Sequence, residues 1–361
     1  MSVYGGAPRV REETIADGLV TGLWPTDKPI DYYLNPSGGW WSPLDAELIK
    51  EVFQYFSDRT CLSFQRAKEQ SNETLNFESS SSNGCHSGSV GKALREVVPS
   101  GAKYLPGNRI NLGRPCQKVS TVSHEIGHAL GLWHTQQRSD RDQHVVAIGP
   151  MFSNKWPNYR KEETIPDNLG TPYDYGSMMH YPATYLYDDI KLEDYTGLLK
   201  ARNELFRYTM GAYTHASQMD LMLINKLYKC DERCAGRNTL CQHGGFPNPN
   251  KCHECVCPKG FSGAFCEKKQ ASFYNGAPCG AVVEATDEWQ SLNGGPLSVE
   301  LVWTFHNPKF NKRTITCHWH LKTSIGHKIE VVIERVGGDK CDYKYNCQRS
   351  GFELVVNDFR L

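Results

Sequence analysis

Apolar and polar positions alternate along residues 28–34, and the run stops at Asn35, Pro36, Ser37, Gly38 and Gly39. This pattern predicts a strand followed by a turn. The spacing then changes: Leu44, Leu48, Val52, Tyr55 and Phe56 fall on one face of a helix. Ser42 is expected to cap that helix, with Pro43 in its first turn and Asp45 completing a capping-box-like pair. Leu75, Phe77, Ile110 and Leu112 suit short strands. A last helix is expected behind the cap Ser217-Gln218-Met219-Asp220, with Leu221, Ile224, Leu227 and Tyr228 facing inward, and it ends at Cys230. Residues 1–23 are polar and without periodicity, so they read as a flexible lead, with order starting at Leu23-Trp24-Pro25. From Ser272 onward, the stretches around Cys279, Trp303 and Cys317-His318-Trp319-His320, then 328–333 and 352–356, alternate as strands do.

A chain of 361 residues exceeds one ordinary core and divides into two or three domains. Its 40 basic and 40 acidic residues cancel, which points to neither nucleic acid nor an anionic membrane as partner. No apolar run approaches the length needed to span a bilayer, so a soluble chain is expected. Cysteine changes the picture more. Four of the 14 lie in the first 230 residues and ten crowd into the stretch from Cys234 to Cys347, an even number that argues for an oxidising compartment. Residues 1–20 have no apolar core of the kind a signal peptide needs, so the sequence is expected to begin downstream of the true amino terminus or inside a propeptide.

The chemistry concentrates at His124-Glu125-Ile126-Gly127-His128-Ala129-Leu130-Gly131-Leu132-Trp133-His134. Four residues apart on a helix, His124 and His128 share one face and can reach a common metal. Six residues further at about 100° each would turn His134 away and carry it about 9 Å along the axis, so the chain must bend between them. Gly131 permits the bend, because glycine takes the left-handed conformation without a Cβ clash. Three neutral imidazoles leave zinc an open position for a water, and Glu125 beside the first ligand suits a general base. The short H-E-x-x-H pair also suits a solvated helix face, whereas the extended H-E-x-x-H-x-x-G-x-x-H is far more specific. Ser177-Met178-Met179-His180-Tyr181 adds a second signal, since it matches the Met-turn of metzincins, in which Met179 would form an apolar floor beneath the metal.

Together with Arg138-Ser139-Asp140-Arg141-Asp142, these residues resemble the astacin family. The resemblance implies an α+β two-lobed metzincin catalytic domain over residues 24–230, one Zn2+ held by His124, His128 and His134, and Tyr181 as a fifth ligand that leaves the metal to stabilise the oxyanion. It also implies the pairings Cys61–Cys230 and Cys85–Cys116. One position departs from the family pattern. Thr135 stands where astacins carry a Glu that receives the mature amino terminus, and a hydroxyl, expected to bond nearby backbone or water, supplies no such charge. Arg138, Asp140, Arg141 and Asp142 taken alone form a local salt-bridge cluster, and Tyr173 and Tyr175 read as packing. Asn72-Glu73-Thr74 is a glycosylation sequon and implies a surface loop.

Residues 231–267, with Cys234, Cys241, Cys252, Cys255, Cys257 and Cys266, resemble an EGF-like module. Cys252, His253, Cys255 and Cys257 could instead be read as zinc ligands, but all six cysteines fit the disulfide frame. Residues 268–361, with Cys279, Cys317, Cys341 and Cys347, resemble an all-β CUB-like sandwich that stops within a strand. His318 and His320 would share a strand face there as ordinary surface residues. The order protease, EGF, CUB is similar to that of many nematode astacins. It implies a secreted zinc endopeptidase acting on extracellular protein or peptide substrates, with collagen or cuticle matrix the candidate by resemblance. The competing expectation is a non-catalytic extracellular binding protein that displays its EGF and CUB modules.

Overall fold

Pro29 has no N–H to give a ladder, and the first predicted strand accordingly starts at Ile30, whose N–H donates to Ser63 O at 2.8 Å. The computed structural model describes residues 14–16, 19–36, 43–79, 84–96, 108–113, 116, 118–147, 157–161, 168–183, 199–207, 209–211, 215–274, 277–292, 317–332 and 334. They fall into two units, Met1–Gly236 with Asn248–Cys252, and Arg237–Pro247 with His253–Leu361.

In the first unit, in chain order, are β1 (Thr14–Ala16), β2 (Leu19–Gly22), β3 (Ile30–Leu34), α1 (Pro43–Ser57), β4 (Phe64–Arg66), β5 (Leu75–Glu78), β6 (Cys85–Ser87), β7 (Lys92–Glu96) and β8 (Arg109–Leu112). There follow α2 (Val119–Ala129), β9 (Val145–Ala147), β10 (Leu199–Ala201) and α3 (Gln218–Leu227). Five strands form one sheet in the order β4-β3-β5-β8-β6, parallel except for β6, which pairs antiparallel with β8 at the edge. Ile49, Val52, Phe53 and Phe56 of α1 are buried, as are Ile30, Leu75, Phe77, Ile110 and Leu112 of the sheet. The Phe53 ring lies 5.8 Å from Phe77 and 4.7 Å from Tyr32. The buried stripe of α1 is thus centred one residue away from the expected one: Leu48 and Tyr55 are half-buried, and the Tyr55 hydroxyl donates to Ala216 O. Ser42 and the side chains of Leu44 and Asp45 lie outside the described residues.

Within the expected flexible lead, the described residues 14–16 and 19–22 are strands. β1 and β2 pair antiparallel, Thr14 opposite Thr21, and β2 pairs with β7. The β-prone Thr14, Ile15, Leu19, Val20 and Thr21 supply these strands, and while β1 has only its neighbour β2 as partner, β2 is also paired with a strand seventy or more residues away, beyond the reach of a local pattern.

After α2 the described residues are largely irregular up to α3 and close on a smaller aromatic cluster of Val145, Tyr159, Tyr173, Tyr175, Leu199 and Met210. α3 starts with the expected capping box between Ser217 and Asp220. Cys61–Cys230 closes 169 residues into one loop, and Cys85–Cys116 ties β6 to the approach to α2. The carbonyls at the end of α1 and just past it are capped from far away in sequence. Asn250 Nδ2 donates to Ser57 O and Thr60 O, Asn248 Nδ2 to Asp58 O, and Asn225 Nδ2 to Arg59 O.

In the cysteine-rich stretch Cys234 pairs with Cys252, Cys241 with Cys255 and Cys257 with Cys266. Farther on, Cys279 pairs with Cys317, and Val282–Glu284 runs parallel to His320–Lys322. Among the described residues no sandwich is present: 328–332, expected as a strand, has no ladder partner, and Val331 and Val332 are exposed. Alternation alone cannot supply that partner. His318 and His320 are half-buried rather than on the surface, one bonded to Ser272 Oγ and the other donating to Gly260 O. Trp303, Cys341, Cys347 and 352–356 lie outside the described residues.

Candidate metal centre

Val122, Ile126, Ala129 and Leu130 recur at helical spacing and are buried, which turns His124 and His128 to another side of α2. The helix ends in a Schellman turn. Gly131 N–H donates to His128 O, Leu132 N–H to Gly127 O, and Gly131 has φ +101°, the conformation its position demanded. The remaining carbonyls are also taken, Ala129 O by the Trp24 indole at 2.8 Å and Leu130 O by the Tyr228 hydroxyl at 3.0 Å. After this anchored turn His134 returns to the first two histidines.

One ligand atom from each of the three imidazoles lies within 4.8 Å of the others. Their orientation is set on the far side of each ring. His124 Nδ1 donates to Met178 O at 2.7 Å, His128 Nδ1 to Leu132 O at 2.8 Å and His134 Nδ1 to Gln137 Oε1 at 3.0 Å. A neutral imidazole that donates from Nδ1 presents a lone pair at Nε2. His128 Nε2 and His134 Nε2 are 3.2 Å apart, so two lone pairs face each other, an arrangement that a shared cation relieves. Burial lowers all three rings from their ordinary pKa, His134 well below it and His128 to about 3, with the neighbouring His124 as the second cause for His128. Three neutral nitrogens converging in this way fit a zinc ion.

Glu125 is 4% exposed, and burial raises its carboxyl to about 7, against the opposing effect of a hydrogen bond from the Ser87 backbone. Met178 and Met179 are fully buried beneath the helix. Gly127 lets them approach: a Cβ there would stand 2.6 Å from Met178 Cε and 2.8 Å from Met179 Sδ. The Met-turn is held from below, since Asp220 accepts from Ser177 Oγ at 2.6 Å, Met178 N at 2.8 Å and Ser217 N at 2.9 Å. Tyr181 is half-buried, its ring 4.5 Å from that of His134, with its N–H donating to Gln136 Oε1 and its hydroxyl accepting from Asn158 Nδ2.

The three histidines expected from the sequence converge, Tyr181 lies beside His134 and Met179 lies under Gly127. Sequence reasoning missed Gly127, Gln136, Gln137, Asn158 and Asp220. A small residue between the two helix histidines was the available signal for Gly127; Asn158 carried none. Thr135 bonds a side chain, Ser177 Oγ at 2.9 Å, rather than backbone or water. Arg138 and Arg141 do pair with Asp140 and Asp142, but they also donate to the carbonyls of Thr171 and Pro172 and of Gln136 and Tyr159, so they clamp the chain rather than decorate it. Tyr173 and Tyr175 pack in the aromatic cluster, and Tyr173 OH bonds His180 Nε2.

Residues 19–229 match the family model of the peptidase family Astacin. Zinc metalloproteinase nas-36 of Haemonchus contortus is 31% identical over 286 residues, covering 79% of this chain and 43% of that protein. Zinc metalloproteinase nas-27 of Caenorhabditis elegans is 32% identical over 324 residues, covering 87% and 69%. Among solved structures, the hatching enzyme zinc-protease High choriolytic enzyme 1 of the medaka fish Oryzias latipes aligns at 26% identity and a TM-score of 0.43, covering 60% of this chain and 93% of that one. The chain spans less than half the length of the nas-36 relatives it matches. A match across the whole span from β2 to the end of α3, with the three-histidine centre at its middle, makes this chain a member of the astacin family.

Proposed function

We propose that this chain is a secreted zinc-dependent endopeptidase that cleaves extracellular proteins. The observation that carries the proposal is the convergence of three neutral imidazoles, each fixed at Nδ1, beside the buried carboxyl of Glu125. Zinc held by His124, His128 and His134 would supply a Lewis acid that polarises the scissile carbonyl and acidifies water. A carboxyl raised to about 7 suits the proton transfers of hydrolysis, in which Glu125 takes the proton of the attacking water and returns it to the leaving amine. Tyr181, whose ring lies 4.5 Å from that of His134, would donate its phenol hydrogen to the carbonyl oxygen as charge develops there. All cysteines among the described residues are paired, as an oxidising, extracellular compartment requires. Residues 231–267 and 268–361 would serve as EGF-like and CUB-like modules, and Asn72, exposed, would carry a glycan.

The test uses the intact chain. Zinc content near one per chain, with cleavage of a denatured protein that a chelator stops, is the expected result. Glu125→Gln should keep the metal and lose about 10² to 10⁴ in rate. Stoichiometric zinc with no cleavage by the unaltered chain would overturn the proposal in favour of a binding protein.

A further inference from the structure

Four consecutive residues, 158 to 161, are each held by the segment that follows the third histidine. Asn158 O accepts from Gln136 Nε2 at 3.2 Å, Tyr159 O from Arg141, and Arg160 O from Gln137 Nε2 at 3.4 Å, while Lys161 Nζ pairs with Asp142 at 2.6 Å. Asn158 therefore stands where the residues around the metal centre put it. Its side-chain amide then reaches back, and Nδ2 donates to the Tyr181 hydroxyl oxygen at 3.1 Å. Gln136 closes the ring. It is fully buried, two residues after His134, and its Oε1 accepts the Tyr181 N–H at 3.0 Å while its Nε2 holds Asn158 O. One amide thus spaces the two backbones, and a second joins the side chain of one residue to the phenol of the other.

We propose that Asn158 is a positioning residue for Tyr181, its side-chain amide holding the phenol oxygen beside the three histidines. The inference rests on the proposed peptidase reading, in which Tyr181 donates to the developing oxyanion. A phenol on a half-buried ring has rotational freedom, and a donor at its oxygen favours the position beside the histidines among those it visits. The direction of the bond matters as well. Asn158 donates to a lone pair and so does not use the phenol hydrogen, which is the hydrogen an oxyanion needs.

Asn158→Ala should lower kcat about tenfold with KM little changed, the size expected for one neutral hydrogen bond realised in the transition state. Asn158→Asp keeps the shape but can only accept, so it should lose at least as much. In a Tyr181→Phe background, Asn158→Ala should have no further effect on kcat, because the group it positions is gone. A second readout needs no catalysis: in chain labelled with 3-fluorotyrosine, the Tyr181 resonance, assigned through Tyr181→Phe, should move in Asn158→Ala. A full kcat in Asn158→Asp, additive losses in the double variant, or an unmoved resonance would each overturn the inference. Absence of cleavage by the unaltered chain would sink the peptidase reading instead, and the fluorine resonance would still decide whether the amide holds the phenol.

Discussion

Phe77 and Asp220 are both buried, and they show how differently the two halves of the first unit are built. Phe77 sits in the central strand of the five-stranded sheet and meets the rings of Tyr32 and Phe53 at 6.3 and 5.8 Å. Asp220 meets donors instead: one hydroxyl and two backbone N–H groups, at 2.6 to 2.9 Å. Upstream of Gly131 the sheet and α1 are held mainly by apolar packing, which tolerates exchange among side chains of similar volume, with Asn76 and Asn108 holding the loops beside them. Downstream, few regular elements occur among the described residues, and polar side chains hold the backbone between them one bond at a time. The metal centre lies on the seam. It takes two ligands from a helix of the first kind and its third ligand, Met-turn and phenol from the second.

The largest effect should come from breaking the seam itself. Gly131→Val places a β-branched residue at φ +101°, with its Cβ 3.2 Å from Leu227 Cδ2, and His134 then loses its route back. Zinc content should fall to near zero while far-UV helicity persists; normal zinc affinity would show that the turn is not what brings the third ligand in. Next comes the direct comparison of the halves. Asp220→Asn conserves volume but turns an amide toward N–H donors, and should cost about 2 to 4 kcal/mol in urea unfolding. Phe77→Leu removes more atoms yet should cost about 1.5 kcal/mol. The opposite ranking would erase the distinction between the halves.

A smaller effect should appear with pH. Asp174 is half-buried, and loss of solvent around its carboxyl, with Asp220 nearby, raises it to about 6. Its folded value thus exceeds the unfolded value of about 3.9, and the stability carried by the neutral form is complete below the latter and lost as pH rises through the former. Relative to Asp174→Asn, the unaltered chain should lose on the order of 2 kcal/mol between about pH 4 and 6. Parallel stability curves for the two proteins would count against a neutral acid at this position. Smallest should be Thr135→Val, which removes one hydroxyl bond to Ser177 and should cost about 1 kcal/mol with zinc retained.

The same division explains what was legible in the sequence. The sheet and α1 follow from alternation and helical spacing, because apolar packing leaves a periodic trace. The three histidines were legible for another reason: helix geometry and one glycine dictate their spacing. Their Nδ1 partners at Met178 O and Leu132 O are backbone carbonyls, which no residue type announces. Gln136 and Asn158 were hidden for a related reason, since an amide's partner is decided by tertiary placement. β2 was missed because the strand that completes its ladder, β7, is remote, and β1 with it because it pairs only with β2, whereas 328–332 alternates without finding any partner strand among the described residues.

The asparagines that cap the end of α1 have a consequence for how such a protein can be cut or recombined. Cysteine composition marks a border after Cys230, yet Asn248 and Asn250, beyond that border, hold carbonyls of a helix near the start of the chain. Exchange of the cysteine-rich segment for another cassette, or a nick within the tip that carries these two residues, would leave Ser57 O, Asp58 O and Thr60 O to water. Residues 248–252 are thus part of the first unit although the cysteine pattern sets them apart from it, and replacements of that stretch are restricted to those that bring equivalent donors to the same three oxygens.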